Sequence, residues 1–215
     1  MSVNGSATGC SYTTNYTFYP DGTVDMKVTF SPSEIPSSSW NKDDKKYLAR
    51  IGLGMQFASG FENVEFYARG PRSNYSDRKT GSYLGRFTTT VDDMVDEMIH
   101  PQTFGDHEDL RELILTNKTA GVQLGVKVGG RASFSLSHYD EKNWCKGTNT
   151  MWQTNLHWYD LTRDSQVYAH FDYMQRGLAT TLAVATKPSP TMFARHRTAA
   201  HTHCASSHSR QKALM

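Results

Sequence analysis

Residues 11–30 read SYTTNYTFYPDGTVDMKVTF. Tyr16 and Phe18 alternate with polar residues, and Val24, Met26, Val28 and Phe30 follow at period two. Between the two runs stands Pro20-Asp21-Gly22. Proline presets φ for a turn, aspartate bonds the backbone two residues on, and glycine takes positive φ without strain. Alternation at period two turns one face of each run inward, so the stretch predicts a β-hairpin. The same pattern extends along the chain. Residues 49–57 (ARIGLGMQF) put Ile51, Leu53, Met55 and Phe57 on one face. Residues 61–68, 83–87, 110–116 and 166–173, with two runs around Gly129-Gly130, are further short strands. Only residues 88–99, with Val91, Met94, Val95 and Met98, fit one or two helical turns. About eight short strands separated by turns argue an all-β sandwich over an α/β fold.

Composition agrees. Hydrophobic residues make up 37% of the 215, enough for one core, and the aromatic residues favour a pleated surface. One domain plus a tail fits this length: residues 1–10 as a linker remainder, 11–178 as the domain, 179–215 as a tail. The net charge of +2 is unevenly placed. No acidic residue follows Asp172, while six of the 23 Lys and Arg lie from Arg176 onward, so residues 1–172 carry about −4. The tail is Ala, Thr, Ser, His, Arg and Pro without periodicity, a composition expected to be disordered. A basic end is compatible with a nucleic-acid arm, but no aromatic interleaving or RNA-binding motif supports one, so no nucleic-acid partner is expected. Cys10, Cys145 and Cys204 have no zinc or redox spacing. No apolar stretch predicts a signal peptide or a membrane span, and compartment stays open between cytoplasm and periplasm.

Several stretches resemble, in order, the C-terminal small-chain (domain 5 type) domain of bacterial glycoside hydrolase family 2 β-galactosidases. Residues 17–28 (TFYPDGTVDMKV) look like its opening hairpin. ARIGLG at 49–54 is similar to the family's Pro-Arg-Ile-Gly strand, with Ala49 in place of Pro. Residues 67–78 (YARGPRSNYSDR) carry the most specific signature, Gly-Pro-x-x-Asn-Tyr-x-Asp-Arg. PQTFGDHEDLREL at 101–113, then residues 134–139, 158–161 and QRGL at 175–178, complete a match over 12–178. The resemblance implies a large antiparallel β-sandwich of galactose-mutarotase-like (supersandwich) type. It also implies a non-catalytic domain, inactive alone, that packs on a catalytic barrel and helps wall its galactose site. The parent would hydrolyse β-galactosides such as lactose. The fragment is expected to hold no cofactor or metal, Mg and Na belonging to the parent family's other domains. Freed of the barrel, it should self-associate through exposed apolar surface. The family's ending is not recognisable beyond Gly177. Restoring one G after codon 178 lets another frame resemble the family's Gly-Leu-Gly-x-x-Ser-Cys-Gly, so a frameshifted tail and a lost last strand are expected.

Two other functions stay open: an autonomous carbohydrate-binding module and an aldose epimerase. Candidate sugar-contacting residues are Arg69, Asn74, Asp77, Arg78, His107 and Arg111, because guanidinium, amide and carboxylate groups suit vicinal hydroxyls. Asn74 and Asp77 equally fit a turn-shaping role, with Arg78 bracing the loop by a salt bridge. His107, Glu108 and Arg111 would supply acid–base chemistry to an epimerase, or stand as a solvated acidic loop. Trp144, Trp152 and Trp158 suit a stacking face or core packing. Asp92, Asp93, Asp96 and Glu97 read as a solvated face, and the tail histidines have no metal-site spacing.

Overall fold

The computed structural model describes residues 1–7, 10–32, 50–99, 101, 103–129, 132–144, 156–175 and 199–207. The opening hairpin is β2 (Cys10–Phe18) and β3 (Thr23–Pro32), paired antiparallel. Its turn uses the expected chemistry. Thr23 N–H donates to Asp21 Oδ1 at 2.9 Å, and Gly22 sits at φ 85°. Gly22→Ala should therefore lower stability by about 1–2 kcal/mol, the usual strain of a left-handed residue bearing a Cβ; a urea melt reads it.

The other strands are β1 (Ser2–Ala7), β4 (Arg50–Phe57), β5 (Asn63–Gly70), β6 (Tyr83–Thr90), β7 (Glu112–Asn117), β8 (Val122–Val128), β9 (Ser133–Ser137), β10 (Val167–Gln175) and β11 (Ala199–Ser207). They form an eight-stranded sheet, β1-β2-β3-β11-β8-β7-β5-β6, and a three-stranded sheet, β4-β10-β9, antiparallel throughout. Val64 and Phe66 of β5, Leu113 and Leu115 of β7, Phe134 and Leu136 of β9, and Val167 and Phe171 of β10 share one buried cluster. The two sheets therefore face each other across a common core, as the all-β sandwich reading requires. Burying each such side chain contributes about 1.5–3 kcal/mol. The expected helical stretch contracts to a 3-10 turn, Asp92–Met94, with Val91 and Met94 in the core. One short helix, α1 (Glu141–Trp144), follows β9.

Both chain ends depart from expectation. Residues 2–7, read as a linker remainder, form β1 along the edge of β2. Within the expected disordered tail, residues 199–207 form β11, which pairs with β3 on one side and β8 on the other. The backbone groups of β3 and β8 need a partner strand between them, and AAHTHCASS contains neither proline nor glycine to prevent extension. Residues 199–207 thus fill the place between β3 and β8, within the stretch where a lost last strand was expected. Trp40, Trp152, Cys145, residues 176–198 and His208 lie outside the described residues, as does the side chain of Trp144.

Candidate functional site

Two loops meet at one end of the sandwich: residues 71–78 after β5, and residues 104–111 before β7. Asn74 ties them. Its Nδ2 donates to the carbonyls of Arg69 and Arg72, both at 3.0 Å, and its Oδ1 accepts from Glu108 N–H at 3.0 Å. Its own N–H donates to Asp106 O at 2.7 Å. Asn74 is fully buried, so these bonds use up its amide and the turn-shaping role is the one observed. Asn74→Ala should cost about 2–3 kcal/mol, because it removes three hydrogen bonds of a fully buried amide and leaves Glu108 N–H without this acceptor; thermal unfolding checks this.

His107 is buried between the rings of Phe66 and Phe134, with centroids at 4.7 and 5.5 Å. Its Nδ1 lies 2.8 Å from Arg69 O, and burial holds its pKa below the ordinary histidine value. A ring so enclosed has no open face for a sugar, which fits neither the acid–base alternative nor the solvated-loop alternative weighed for it. Arg69 donates Nε to Asp109 Oδ2 at 2.5 Å and Nη1 to Ser82 O at 3.0 Å. Asp109 adopts φ 59°, a left-handed conformation that aspartate tolerates, and this bond fixes it. Arg78 is exposed. It stacks over Tyr75 at 5.1 Å and reaches Ser73 Oγ at 3.4 Å, so it braces the loop through an aromatic ring and a hydroxyl where a salt bridge was expected. Asp77 is exposed. Arg111 is half-buried, its backbone N–H bonded to Tyr67 O at 2.8 Å. The structure gathers Arg69, Asn74 and His107 into one knot and leaves Asp77 and Arg78 at the surface.

Beside this knot lies a cleft of about 160 Å³, walled by Ser76, Lys79, Glu108, Asp109, Ser133, Asp172, Tyr173 and Gln175. Strand β10 shapes it. A bulge falls between Asp172, paired with Gly52, and Met174, paired with Ile51. Neighbours on a regular strand point to opposite faces; the extra residue lets both Asp172 and Tyr173 line the cleft. Ser76 Oγ donates to Gln175 O at 3.1 Å and ties the loop to this strand.

Beneath the cleft is a charged network. Arg50 donates to both carboxylate oxygens of Glu141, at 2.9 and 2.6 Å, and its Nε lies 3.7 Å from Asp172 Oδ1. Gly52 makes the approach possible, since a Cβ there would collide with the Asp172 carboxylate. Burial, opposed by Arg50, pushes the Asp172 carboxyl up to about 7. Asp106 is fully buried. Burial and the nearby Asp172 push it up to about 8, against the pull of Arg50. The Gln175 side chain also favours its charged form, yet neither Asp106 carboxyl oxygen has a hydrogen bond within 3.5 Å among the described residues. His170 stands 3.6 Å from Glu141 and is held below its ordinary pKa by burial.

The sequence reading missed Asp106, Asp172, Tyr173 and Gln175. The Gly-Asp-His-Glu-Asp run looks solvated in one dimension, and a single aspartate near the end of an apolar strand gives little signal. The acidic stretch at 92–97 is only partly a solvated face. Asp92 takes both Arg163 Nε and Nη2 at 3.0 Å, which holds its carboxyl low. Asp92, Glu62 and His138 bring ligand atoms within 4.8 Å of one another. The Arg163 guanidinium already lies against both acids, and His138 Nε2 is 2.7 Å from Glu62. Trp158 packs edge-on against Phe104 and Tyr139, the packing role expected of it.

The comparisons with known proteins agree with this architecture. The family described as Beta galactosidase small chain matches residues 2–202, which takes in β1 and runs into β11, beyond the 12–178 read from motifs. A β-galactosidase of Staphylococcus xylosus is 32% identical over 134 residues, 62% of this chain and 12% of that protein. One of Priestia megaterium is 25% identical over 206 residues, 90% of this chain and 17% of that protein. One of Vibrio cholerae is 30% identical over 165 residues, 76% of this chain and 14% of that protein. The chain thus spans less than a fifth of the length of these relatives. With the family match running almost end to end over an all-β sandwich, the chain belongs to the β-galactosidase small-chain family.

Proposed function

We propose that the chain is a non-catalytic domain of a larger β-galactosidase, one that packs on the catalytic barrel and helps wall the galactose site. The observation that carries this is the family match, joined to the small share of each relative that the chain spans. A retaining glycosidase needs two carboxyl groups about 5–5.5 Å apart across the scissile bond. A (β/α)8 barrel that presents them takes about 250 residues, and the described residues show no alternation of strands with helices. The burial of His107 counts against epimerase chemistry.

Surface suited to packing is present. Ile99 and Tyr159 are each 79% exposed and flank His157, whose Nδ1 lies 3.2 Å from Ile99 O and whose ring stacks on Tyr159. Tyr83 and Leu84 are exposed on the edge strand β6. Apolar groups left bare in this way drive association. The purified chain should self-associate in sedimentation experiments, and Tyr159→Ser with Ile99→Ser should shift it toward monomer. The functional test is hydrolysis of o-nitrophenyl β-galactoside by the chain alone. No turnover is expected, and sustained turnover would refute the non-catalytic role.

A further inference from the structure

We infer that Glu62, Asp92 and His138 form a site for a divalent transition-metal ion of zinc type, which enters by exchanging with the guanidinium of Arg163. This goes beyond the packing role and does not rest on it.

Four segments meet here. Glu62 precedes β5, Asp92 opens the 3-10 turn, His138 follows β9 and Arg163 precedes β10. Main-chain bonds fix their places. Val91 N–H donates to Glu62 O at 3.0 Å, and Asp164 N–H donates to His138 O at 2.8 Å. One ligand atom from each of Glu62, Asp92 and His138 lies within 4.8 Å of the others, and among the described residues no other three His, Cys, Asp or Glu side chains converge so closely.

His138 carries the assignment. It is fully buried, and its Nδ1 lies 2.8 Å from Gln166 O. A carbonyl can only accept, so the ring proton of the neutral imidazole sits on Nδ1. That leaves the Nε2 lone pair directed at Glu62 Oε2, 2.7 Å away, with Asp92 Oδ1 at 4.0 Å. Two acceptors facing each other at this distance call for a positive centre beside them. Metal-binding histidines are oriented in this way, one ring N–H donated to a main-chain carbonyl and the other nitrogen turned to the ion. One imidazole and two carboxylates are ligands that zinc takes together, with water in the fourth place. Calcium takes oxygen ligands and has no use for the imidazole.

The charges point the same way. Two carboxylates face the single charge of Arg163, which donates Nε and Nη2 to Asp92, both at 3.0 Å, with Nη2 3.6 Å from Glu62 Oε2. The guanidinium marks where a cation is held. Its side chain is 44% exposed, and those of Glu62 and Asp92 are 38% and 58% exposed, so an ion reaches the two acids from solvent. An ion pair exposed to this degree is weakly held and readily exchanged. A doubly charged ion balances both carboxylates where the guanidinium balances one.

The test is equilibrium dialysis of the EDTA-stripped whole chain against zinc chloride, and against calcium chloride in parallel, with the bound metal counted. Cys204 and the four histidines beyond residue 176 can also take up zinc, so wild type is read against variants. At micromolar metal, wild type should hold one zinc more than Asp92→Asn or His138→Gln. Glu62→Gln should weaken that zinc more than about tenfold, since loss of even an outer partner of a ligand costs about 10–100-fold. Arg163→Gln should tighten it roughly fivefold, the effect of removing one unit charge about 4 Å away in water. Circular dichroism must show the variants folded; Asp92→Asn, at an exposed position, carries the test if His138→Gln does not fold. Equal zinc uptake by wild type and folded Asp92→Asn would overturn the inference and leave these side chains as an ion-paired latch with Arg163. Calcium held as tightly as zinc would overturn it in favour of an acidic patch in which His138 is no ligand. Weaker zinc binding by Arg163→Gln would overturn it too, because the guanidinium would then support the ion and not compete with it. None of these results bears on the hydrolysis assay, so failure of the metal site and failure of the domain's proposed role are distinguishable.

Discussion

Replacing Arg50 with methionine lowers the unfolding free energy by about 3–5 kcal/mol, because it strands buried carboxylates without their cation. Arg50 is the cation that reaches both Glu141 and Asp172, and its charge also acts on Asp106. Methionine keeps much of the packing of the stem and removes the charge, so the loss reports the network and not a cavity. The loss should depend on pH. Below pH 6 both aspartates hold protons with or without Arg50, so little charge is left uncompensated; without the pull of Arg50 they keep those protons to higher pH than in the wild type, and the loss grows as pH rises through 7 and 8. Urea denaturation of wild type and Arg50→Met at pH 5.5 and pH 8.5 measures both effects. A loss under about 1 kcal/mol at pH 8.5, the scale of an exposed ion pair, would show that the network is not buried in the way described.

The wild-type domain should itself lose stability as pH rises. Asp106 and Asp172 are raised from 3.8 to about 8 and about 7. An acid whose folded pKa lies above its unfolded value holds its proton more tightly when folded. Its stabilising contribution is therefore complete below pH 3.8, falls as pH climbs from there, and is fully lost once pH has passed the folded values of about 7 and about 8. Each proton held this way is worth up to about 1.4 kcal/mol per pH unit over that window. Asp92 and Glu112 act oppositely, lowered by bonds to Arg163 and Arg86, but Asp92 is exposed and Glu112 is half-buried against exposed partners, so both carry little weight; the buried His107 and His170, held below 6.5, oppose the fall only below that pH. The melting temperature should fall from about pH 6.5 to about pH 8 and level off above it. Asp106→Asn, which keeps the shape and removes the titration, should flatten the fall. A wild-type profile that is flat, or that rises with pH, would contradict the assigned burial.

These two effects arise from residues that one dimension did not expose. The opening hairpin was legible because Tyr16, Phe18, Val24, Met26 and Val28 keep period two around a turn with defined chemistry. The knot of Asn74 was legible in part: an asparagine after Gly70-Pro71 announces a turn, and its buried amide holds the neighbouring loop as well. Strands β1 and β11 gave no signal, because SVNGSA and AAHTHCASS lack alternation and take their conformation from the strands beside them. The cleft draws on residues 76–79, 108–109, 133 and 172–175, four stretches that only the fold brings together. Its bulge at Asp172 and the space left by Gly52 are properties of pairing and do not appear in residue pattern.

The measurement that tests the central claim most directly is reconstitution. The purified chain is mixed with the rest of its parent polypeptide, expressed separately, and β-galactoside hydrolysis is followed with each part alone and with both. A domain that packs on a catalytic barrel without cleaving the bond itself should be silent alone, should bind the remainder, and should raise its turnover or hold it active at higher temperature. Hydrolysis by the chain alone, or a remainder whose activity and stability are indifferent to it, would contradict the account.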